Sequence, residues 1–483
     1  MNNSLFVKEL NKYTYNDLQI LFACKSDEKL NGILKKLKEY GILKIIKKND
    51  EDIDDLQFEN EVIVEVGESL NDINYVFKYV GVIIVGGIVL KCYPKYIVKN
   101  NEPIYELKQI LKVIEKYNSK EQIIKMYNES DYSGSSNYLA IVLFLLKDYY
   151  EYGVYRNDKD IIETNGEGSI LWDKTINETF MLISNNKPYY LELKTKKHRV
   201  DDMDFFTRVH KTILTKISKE FESVGVLHLF DLLGVNLTDE ELDDLGDTDY
   251  ISNRIQKELN VEFNTRKQNL LKLFYTYINK KSSIYDIDCL SLYGTQNFNL
   301  IWEKVCADVL NNQLNTKLKD IDGNIKCIDN NKKLIELIEK PEWTYTKNIA
   351  MDTLVPDIIS LVEKDDKKLF IIFDAKYYYP LLEKGQIPRR QPGIESITKQ
   401  FLYQLAYKEL IEENKYEVNN VFLLPTEEKS IQDKSSVKMK MFTGEPLNLK
   451  PILVKFIPAI EAYDLYLQNK KFNINKLFML SFK

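Results

Sequence analysis

The chain has 483 residues, of which 44% are hydrophobic and 12% aromatic, enough apolar material for packed cores in about two to four domains. Its formal net charge of −6 gives no overall positive field to attract nucleic acid, so any contact with DNA must come from a local basic patch. The five cysteines are scattered, odd in number and without metal-ligand spacing, which argues against a disulfide framework or a zinc site.

The first segment with a clear pattern is a pair of predicted helices around Ser26, followed by a strand. The second helix has leucine and isoleucine on one face and lysine on the other, and Gly41 stands where it ends. Helix, helix, strand is the order of a winged helix, which makes Lys35, Lys36 and Lys38 candidate contacts to DNA phosphates. In the alternative interpretation the helices are a structural cap and the lysines are a solvated face.

The pattern next changes to β-strands. Residues 61–66 read EVIVEV, and Gly86 and Gly87 form a two-residue turn between alternating apolar segments, which predicts a hairpin. The longest apolar run, VGVIIVGGIVL at 80–90, is far shorter than the roughly 20 residues that span a bilayer, and the amino terminus has no apolar signal region. We therefore expect a cytoplasmic protein without a membrane segment, in which residues 1–155 form a winged-helix-like and β-rich module that binds DNA or a partner.

The middle region, residues 156–285, is predicted to be mainly helical. It follows helical residues at 103–152 and contains ETNGEGSILWDKTI at 163–176, where two glycines precede a strand or a tight helix start. Residues 204–281 carry helical periodicity and no internal repeat. The three histidines of the chain lie in this region without a flanking catalytic signature, and we interpret them as surface or core residues.

The C-terminal region, residues 286–483, has the order helix, strand, strand, helix, strand. The segments are FNLIWEKVCADVL, VPDIISLVE, KKLFIIFDAKYYY, IESITKQFLYQLAYKELIEE and VNNVFLLP. Phe298 and Trp302 lie on one apolar stripe of the first helix, with Glu303 on its flank. The order resembles the restriction-endonuclease-like core, so the sequence predicts an α+β multidomain protein that ends in such an α/β core.

Three charged residues stand at the ends of the two predicted strands. Asp357 opens the first strand and Asp374 closes the second, so antiparallel pairing would bring both carboxylates to one end of the sheet. Lys376 lies two residues beyond Asp374 and therefore points to the same side. Buried charge is costly unless it is paired or metal-bound, and Mg²⁺ prefers such oxygen ligands. The pattern predicts a Mg²⁺ site in which Lys376 orients or helps to deprotonate the attacking water.

The spacing of Pro-Asp, 16 intervening residues and Asp-Ala-Lys resembles the PD-(D/E)xK nuclease signature. We expect Asp357 and Asp374 to bind the metal together with the Ala375 carbonyl, which lies between the acid and the base on the same strand. Glu303, on the preceding helix, resembles the additional acid that many members of that superfamily bring to the metal. The alternative is a pair of ordinary strands with charged ends.

The helix that follows carries Gln400, Gln404 and Tyr407 along one stripe. Some nucleases of this superfamily have a Gln-x-x-x-Tyr element here, which makes Gln400 a candidate DNA contact. The match is partial because Tyr403 follows Gln400 after two residues instead of three, and packing at the edge of the core explains these residues equally well.

Several longer segments resemble the LlaJI family of restriction endonucleases, whose nuclease subunits are similar to McrC. They are YVGVIIVGGIVLKCYPKYI, NGEGSILWDKTI, LYGTQNFNLIWEKV and the DAKYYY segment, in the right order over nearly the whole chain. The resemblance implies a DNA-cleaving subunit that works with a separate McrB-like AAA+ GTPase, which binds the GTP. In agreement with that division, no glycine of this chain is followed by lysine, so the chain lacks a phosphate loop.

The function predicted from the sequence is Mg²⁺-dependent hydrolysis of double-stranded DNA, in defence against foreign DNA, by a type II or McrBC-like restriction endonuclease subunit. Two alternatives come from other classes. One is a non-catalytic DNA-binding or assembly subunit that retains the nuclease fold. The other is a stimulator of the partner GTPase in which cleavage is secondary.

Overall fold

A computed structural model describes residues 4–23, 26–47, 73–118, 138–200, 203–279, 290–322, 325–327, 329–345, 348–364, 367–382 and 384–478. The chain divides into two compact units, one of residues 1–130 with 292–483 and one of residues 131–291. The sequence suggested three successive parts, whereas here N-terminal and C-terminal residues share one hydrophobic core. The predicted strand at 61–66 lies outside the described residues. Among the helices of the described ranges, none has both the length and the apolar character to cross a membrane.

The N-terminal part of the first unit begins with a strand and two helices. Its described elements are Ser4–Lys8 (β1), Tyr15–Leu21 (α1), Asp27–Glu39 (α2), Leu43–Lys47 (β2), Ile73–Phe77 (β3), Val80–Val85 (β4), Ile88–Tyr93 (β5) and Ile104–Tyr117 (α3). α1, α2 and β2 follow one another in the predicted order of helix, helix, strand, and β2 pairs antiparallel with β3. β4 and β5 form the predicted hairpin, and Gly86 and Gly87 at its turn have positive φ angles of 54° and 77°.

A four-stranded sheet joins the two parts of the first unit, in the order β1, β5, β4 and Leu290–Thr295 (β11). β1 pairs parallel with β5. Where β4 and β11 meet, a Cβ atom on Gly81 would overlap the Tyr293 carbonyl, and one on Gly294 would overlap the Val80 carbonyl. Both glycines have positive φ as well, so this close approach of two backbones requires glycine on both strands.

The second unit contains small sheets and a set of helices. Its described elements are Tyr138–Tyr152 (α4), Asp158–Thr164 (β6), Ser169–Ile170 (β7), Trp172–Glu178 (α5), Met181–Ser184 (β8), Lys187–Tyr190 (β9), Lys194–Val200 (β10), Phe205–Ser223 (α6), a 3-10 helix at Leu227–Phe230, Leu242–Leu245 (α7), Thr248–Leu259 (α8) and Thr265–Asn279 (α9). At 163–176, where the glycines predicted either a strand or a tight helix start, the structure has both a short strand, β7, and a helix, α5. His210 is a core residue, whose Nδ1 accepts from the Tyr155 N–H and whose pKa burial lowers to about 3.

The C-terminal part of the first unit is built around a five-stranded sheet. Its described elements are Phe298–Val309 (α10), Leu318–Ile321 (α11), a 3-10 helix at Leu334–Leu337, Glu342–Trp343 (β12), Asn348–Ile349 (β13), Ile358–Lys364 (β14), Lys367–Ala375 (β15), Ile394–Ala406 (α12), Lys408–Asn414 (α13), Glu417–Thr426 (β16), Gln432–Val437 (β17), Lys440–Thr443 (α14), Ile452–Pro458 (β18), Ala459–Leu467 (α15) and a 3-10 helix at Ile474–Phe478. The strand order is β14, β15, β16, β18, β17. β15, β16 and β18 are parallel, and β14 and β17 are antiparallel to their neighbours.

Helices cover both faces of this sheet because β15 is apolar on both sides. Ile371 and Phe373 pack on one face with α10, α15 and α3, whereas Phe370 and Ile372 pack on the other face with α12 and α13. The predicted apolar stripe of α10 is buried, including Trp302 with no exposed surface. The five predicted elements occur in the predicted order as α10, β14, β15, α12 with α13, and β16, and short helices and the strands β12 and β13 lie between α10 and β14.

Candidate active site

The two predicted acids meet at one edge of the five-stranded sheet, where β14 begins and β15 ends. The antiparallel register pairs Ile358 with Phe373, so Asp357, one residue before β14, lies beside Asp374. The Asp357 carboxyl group is close enough to hydrogen-bond with that of Asp374. The prediction that both acids lie at the same end of the sheet is confirmed.

Two elements hold Asp357 in place. The Ala375 N–H donates to Asp357 Oδ2 at 3.0 Å. Asn312, which follows α10, donates from Nδ2 to the Asp357 carbonyl at 2.8 Å, and its Oδ1 accepts from the Ile359 N–H at 3.2 Å. Sequence reasoning missed Asn312, because a polar residue after an apolar helix is common at helix ends and carries no specific signal.

Asp374 and Lys376 form an ion pair inside the site. Lys376 Nζ lies 3.0 Å from Asp374 Oδ1, and the two side chains are 22% and 5% exposed. Burial, the hydrogen bond with Asp357 and the charge of Asp357 raise the pKa of Asp374 well above its usual value, and Lys376 opposes this shift. The prediction that Asp374 and Lys376 point to the same side is confirmed, and two acids share one lysine.

Lys376 remains a cation in this environment. Burial disfavours its charge, but the carboxylates of Asp374, Asp357 and Glu303 outweigh burial and raise its pKa above the usual value. An ammonium group that keeps its proton can orient water or phosphate oxygens and offset negative charge. It is poorly suited to accept a proton.

Glu303 faces the same site from α10. Burial and the negative charge of Asp357 raise the pKa of Glu303 to about 7, and the positive charge of Lys376 opposes this shift. A raised carboxyl pKa shows that the position is desolvated and already negative. The structure therefore places Glu303 within the electrostatic reach of Asp357 and Lys376.

The donors at this edge fit a divalent cation by their chemistry. The buried Asp374 carboxyl group lies within hydrogen-bonding distance of that of the partly exposed Asp357, and a cation between two such groups offsets their like charges. Two carboxylates with further water or substrate ligands are the ligand set that Mg²⁺ takes. Across the described ranges, however, no group of three or more His, Cys, Asp or Glu side chains is arranged as a metal site. The fit therefore rests on two carboxylates, with Glu303 nearby.

Gln400 lies inside the molecule. Its side chain has no exposed surface, and Nε2 donates to the carbonyls of Ile372 at 3.2 Å and Val421 at 3.4 Å. The amide thus links α12 to β15 and β16. The packing interpretation accounts for these contacts, and the structure does not bring Gln400 to a surface.

The three lysines predicted to contact DNA lie on α2, whereas the acid pair lies at the ends of β14 and β15, more than 300 residues further along the chain. The Lys35 side chain is 79% exposed and lies 3.9 Å from Glu39. The Lys38 ammonium lies 5.2 Å from the centroid of the Tyr75 ring, and burial lowers its pKa. Leu30, Ile33, Leu34 and Leu37 are buried, as predicted for the opposite face.

The amino-acid sequence matches a known protein family over most of its length. Residues 79–459 match the family model described as LlaJI restriction endonuclease. The matched range spans most of the chain, so the chain belongs to the LlaJI restriction endonuclease family, a family of restriction nucleases. The resemblance inferred from the sequence motifs is confirmed.

One curated relative is similar over most of its length. It is the type II restriction enzyme BsuMI component YdjA of Bacillus subtilis (strain 168), 30% identical over 420 residues that cover 83% of each chain. Two solved McrBC structures from Thermococcus gammatolerans show weaker likeness. The half-complex of McrB AAA+ hexamers with bound McrC has a TM-score of 0.38 and 12% identity, covering 96% of this chain and 99% of that chain. A second McrBC complex has a TM-score of 0.24 and 16% identity, covering 57% and 79%.

Proposed function

We propose that this chain is the Mg²⁺-dependent endonuclease subunit of a restriction system and that its C-terminal sheet is a PD-(D/E)xK core. It hydrolyses phosphodiester bonds of double-stranded DNA in defence against foreign DNA. One observation carries the proposal. At one sheet edge Asp357 contacts Asp374, and Asp374 is paired with Lys376. The chain that carries this arrangement belongs to a restriction endonuclease family.

Each residue of the site has a separate role in this proposal. Asp357, Asp374 and the Ala375 carbonyl would hold Mg²⁺, with Glu303 as a further acid beside them. When bound, Mg²⁺ lowers the pKa of a coordinated water and offsets charge on the scissile phosphate. Lys376 keeps its proton and so orients the attacking water and stabilises the negative charge that develops at the phosphate.

The chain acts in this proposal with a second subunit. The curated relative from Bacillus subtilis is named as one component of a restriction enzyme, and the chain has no phosphate loop. We assign GTP binding and hydrolysis to a McrB-like AAA+ partner, and the folding of α1, α2, β2 and β3 supports a winged-helix-like module that binds DNA or that partner.

Cleavage should depend on the partner and on GTP. Because the chain is acidic overall and carries no phosphate loop, we expect the isolated chain to bind DNA weakly and to cut it poorly. The measurement is plasmid nicking and linearisation with Mg²⁺, by the chain alone, with a McrB-like GTPase subunit, and with that subunit plus GTP. Vigorous cutting by the isolated chain would contradict the division of roles. Stimulated GTP hydrolysis without any cutting would favour the GTPase-stimulating alternative.

Reversing the charge of the α2 lysines should weaken DNA binding. Lys35→Glu, Lys36→Glu and Lys38→Glu together remove cations that would contact phosphates, so duplex affinity should fall and its dependence on salt should become shallower. Binding is measured by fluorescence anisotropy at several salt concentrations, with a thermal melt as a check on folding.

A charge-matched control is available on exposed lysines of α6 and α8. Lys216→Glu, Lys219→Glu and Lys257→Glu together change the net charge by the same amount as the α2 variant does, but on the second unit. If both triple variants bind duplex DNA as the original chain does at low salt, the solvated-face interpretation of α2 stands.

A further inference from the structure

The chain leaves the sheet immediately after Lys376. β15 ends at Ala375, and the Lys376 N–H still donates to the Leu423 carbonyl of β16 at 3.0 Å. Residues 377–380 lie outside any strand. The direction in which the Lys376 side chain points therefore depends on how the next residue is held, because a strand ladder no longer fixes the backbone on that side.

Tyr377 is that next residue, and it is anchored in the core that α10 shares with the N-terminal part of the unit. Its side chain is 7% exposed. The ring centroid lies 5.3 Å from that of Phe298, the first residue of α10, and 6.3 Å from that of Tyr96. The same core contains Phe373 and Ala375, so Tyr377 belongs to the α10 face of the sheet. The residue after Lys376 thus contacts the helix that carries Glu303.

The Tyr377 hydroxyl donates a hydrogen bond to Glu9, the residue directly after β1. Glu9 is 5% exposed, and its Oε2 also accepts from the Lys95 N–H at 3.2 Å. The Lys95 ammonium lies 4.8 Å from the centroid of the Tyr377 ring. Burying a carboxylate is costly unless donors and positive charge surround it, so Glu9 is tolerated here because of these contacts. The result is a buried link from β1 to the residue beside Lys376.

We propose that Glu9 and Tyr377 are positioning residues for Lys376. Their hydrogen bond fixes the backbone from which the Lys376 side chain reaches Asp374, and through Phe298 it also fixes the start of α10. The inference rests on the proposed catalytic function of Lys376. A displacement of about 1 Å in a reacting group can lower a rate by about a hundredfold. Loss of this one buried hydrogen bond should therefore lower the cleavage rate by more than the loss of folding stability accounts for.

The test is Tyr377→Phe in the full chain with its GTPase subunit, Mg²⁺ and GTP. This change removes the hydroxyl and keeps the ring contacts, so the single-turnover cleavage rate at saturating DNA should fall by at least about tenfold while DNA affinity is unchanged. Glu9→Ala should cause a similar loss. Glu9→Gln keeps a carbonyl oxygen that accepts from Tyr377 and Lys95, and it should retain more activity than Glu9→Ala.

Tyr407→Phe is a matched control. Tyr407 is also buried, and its hydroxyl donates to the Leu334 carbonyl at 3.1 Å in the other core of the sheet. We expect Tyr407→Phe to cut at the original rate. Hydrogen exchange of a peptide containing residues 375–379 gives a readout independent of activity, and the Lys376 amide should exchange faster in Tyr377→Phe than in Tyr407→Phe.

The outcomes separate this inference from the proposed function. If Tyr377→Phe cuts DNA as fast as the original chain, and its Lys376 amide exchanges as slowly, the inference is overturned. The inference also fails if Tyr377→Phe and Tyr407→Phe lose cleavage activity equally and in proportion to the fall in their melting temperatures. The Tyr377 hydroxyl would then act only through stability. If Lys376→Ala cuts like the original chain, the proposed function itself fails, and the exchange data still report whether Glu9 fixes the segment.

Discussion

Asp374→Asn is expected to lower Mg²⁺-dependent DNA cleavage by at least about a hundredfold, the low end of what a positioned acid or base contributes. Asparagine has the shape of aspartate but lacks the charge, so it removes a proposed metal ligand while keeping the packing at the end of β15. Cleavage is measured with the GTPase subunit and GTP at saturating DNA. A variant that cuts at the original rate would place the active site elsewhere.

The same variant should be at least as stable as the original chain without Mg²⁺. The pKa of Asp374 is raised in the folded chain, so between the ordinary carboxyl pKa of about 4 and that raised value the folded state holds a proton that the unfolded state has lost. The free energy of unfolding therefore falls as pH rises through this window, and Asp374→Asn should remove this loss. Added Mg²⁺ should raise the melting temperature of the original chain, and much less that of the variant.

Asp433→Asn is a contrasting control on the same sheet. Asp433 is paired with Lys455, and these side chains are only 9% and 4% exposed. Removing this carboxylate leaves a buried lysine without its partner, which should destabilise the chain by about 3–5 kcal/mol while the folded protein cuts normally. If, in the absence of metal, Asp374→Asn instead lowers the melting temperature as much as Asp433→Asn does, Asp374 is a structural residue.

Lys376→Met should also lower cleavage by at least about a hundredfold, because it removes the charge that we propose orients water and stabilises the developing phosphate charge. Unlike Asp374→Asn, this change should strengthen Mg²⁺ binding. The Lys376 ammonium lies 3.0 Å from Asp374 and competes with any cation for that carboxylate. The shift in melting temperature caused by a fixed Mg²⁺ concentration should therefore be larger in Lys376→Met than in the original chain.

Lys368→Met is the matched control for this prediction. Lys368 lies on the same strand, near its opposite end, and pairs with Asp322 at 2.7 Å. Because solvent screens this partly exposed pair, its loss should change stability little and should leave both cleavage and the Mg²⁺ response unchanged. A Lys376→Met variant that behaves like Lys368→Met in both assays would remove Lys376 from the mechanism.

The sequence was sufficient for features that depend on local pattern. Strand alternation and a short turn between two apolar runs were enough to place Asp357 beside Asp374, because antiparallel pairing through a hairpin leaves little choice of partner. The paired glycines Gly86 and Gly87 predicted a turn for a similar reason. The apolar stripe through Trp302 likewise predicted which face of α10 is buried.

Features that join distant parts of the chain could not be predicted. Glu9 contacts Tyr377 across 368 residues, and no local pattern marks a carboxylate that will be buried by such a partner. Gln400 resembles a surface residue on a helix, yet its amide donates to carbonyls of β15 and β16 that only the folded sheet presents. Asn312 is similar, because its role depends on the strand that passes beside it.

The position of residues 131–291 between two stretches that share one core has a consequence for synthesis on the ribosome. Translation proceeds at about 5–20 residues per second, so on the order of tens of seconds pass between the emergence of Glu9 and that of Tyr377. During this interval the Glu9 carboxylate, directly after β1, lacks the Tyr377 hydroxyl that donates to it in the folded chain. The intervening unit can fold first, and the acid pair with its lysine is completed only when the last third of the chain has been made. The proposed cleavage site is thus assembled only after residues 131–291 have left the ribosome.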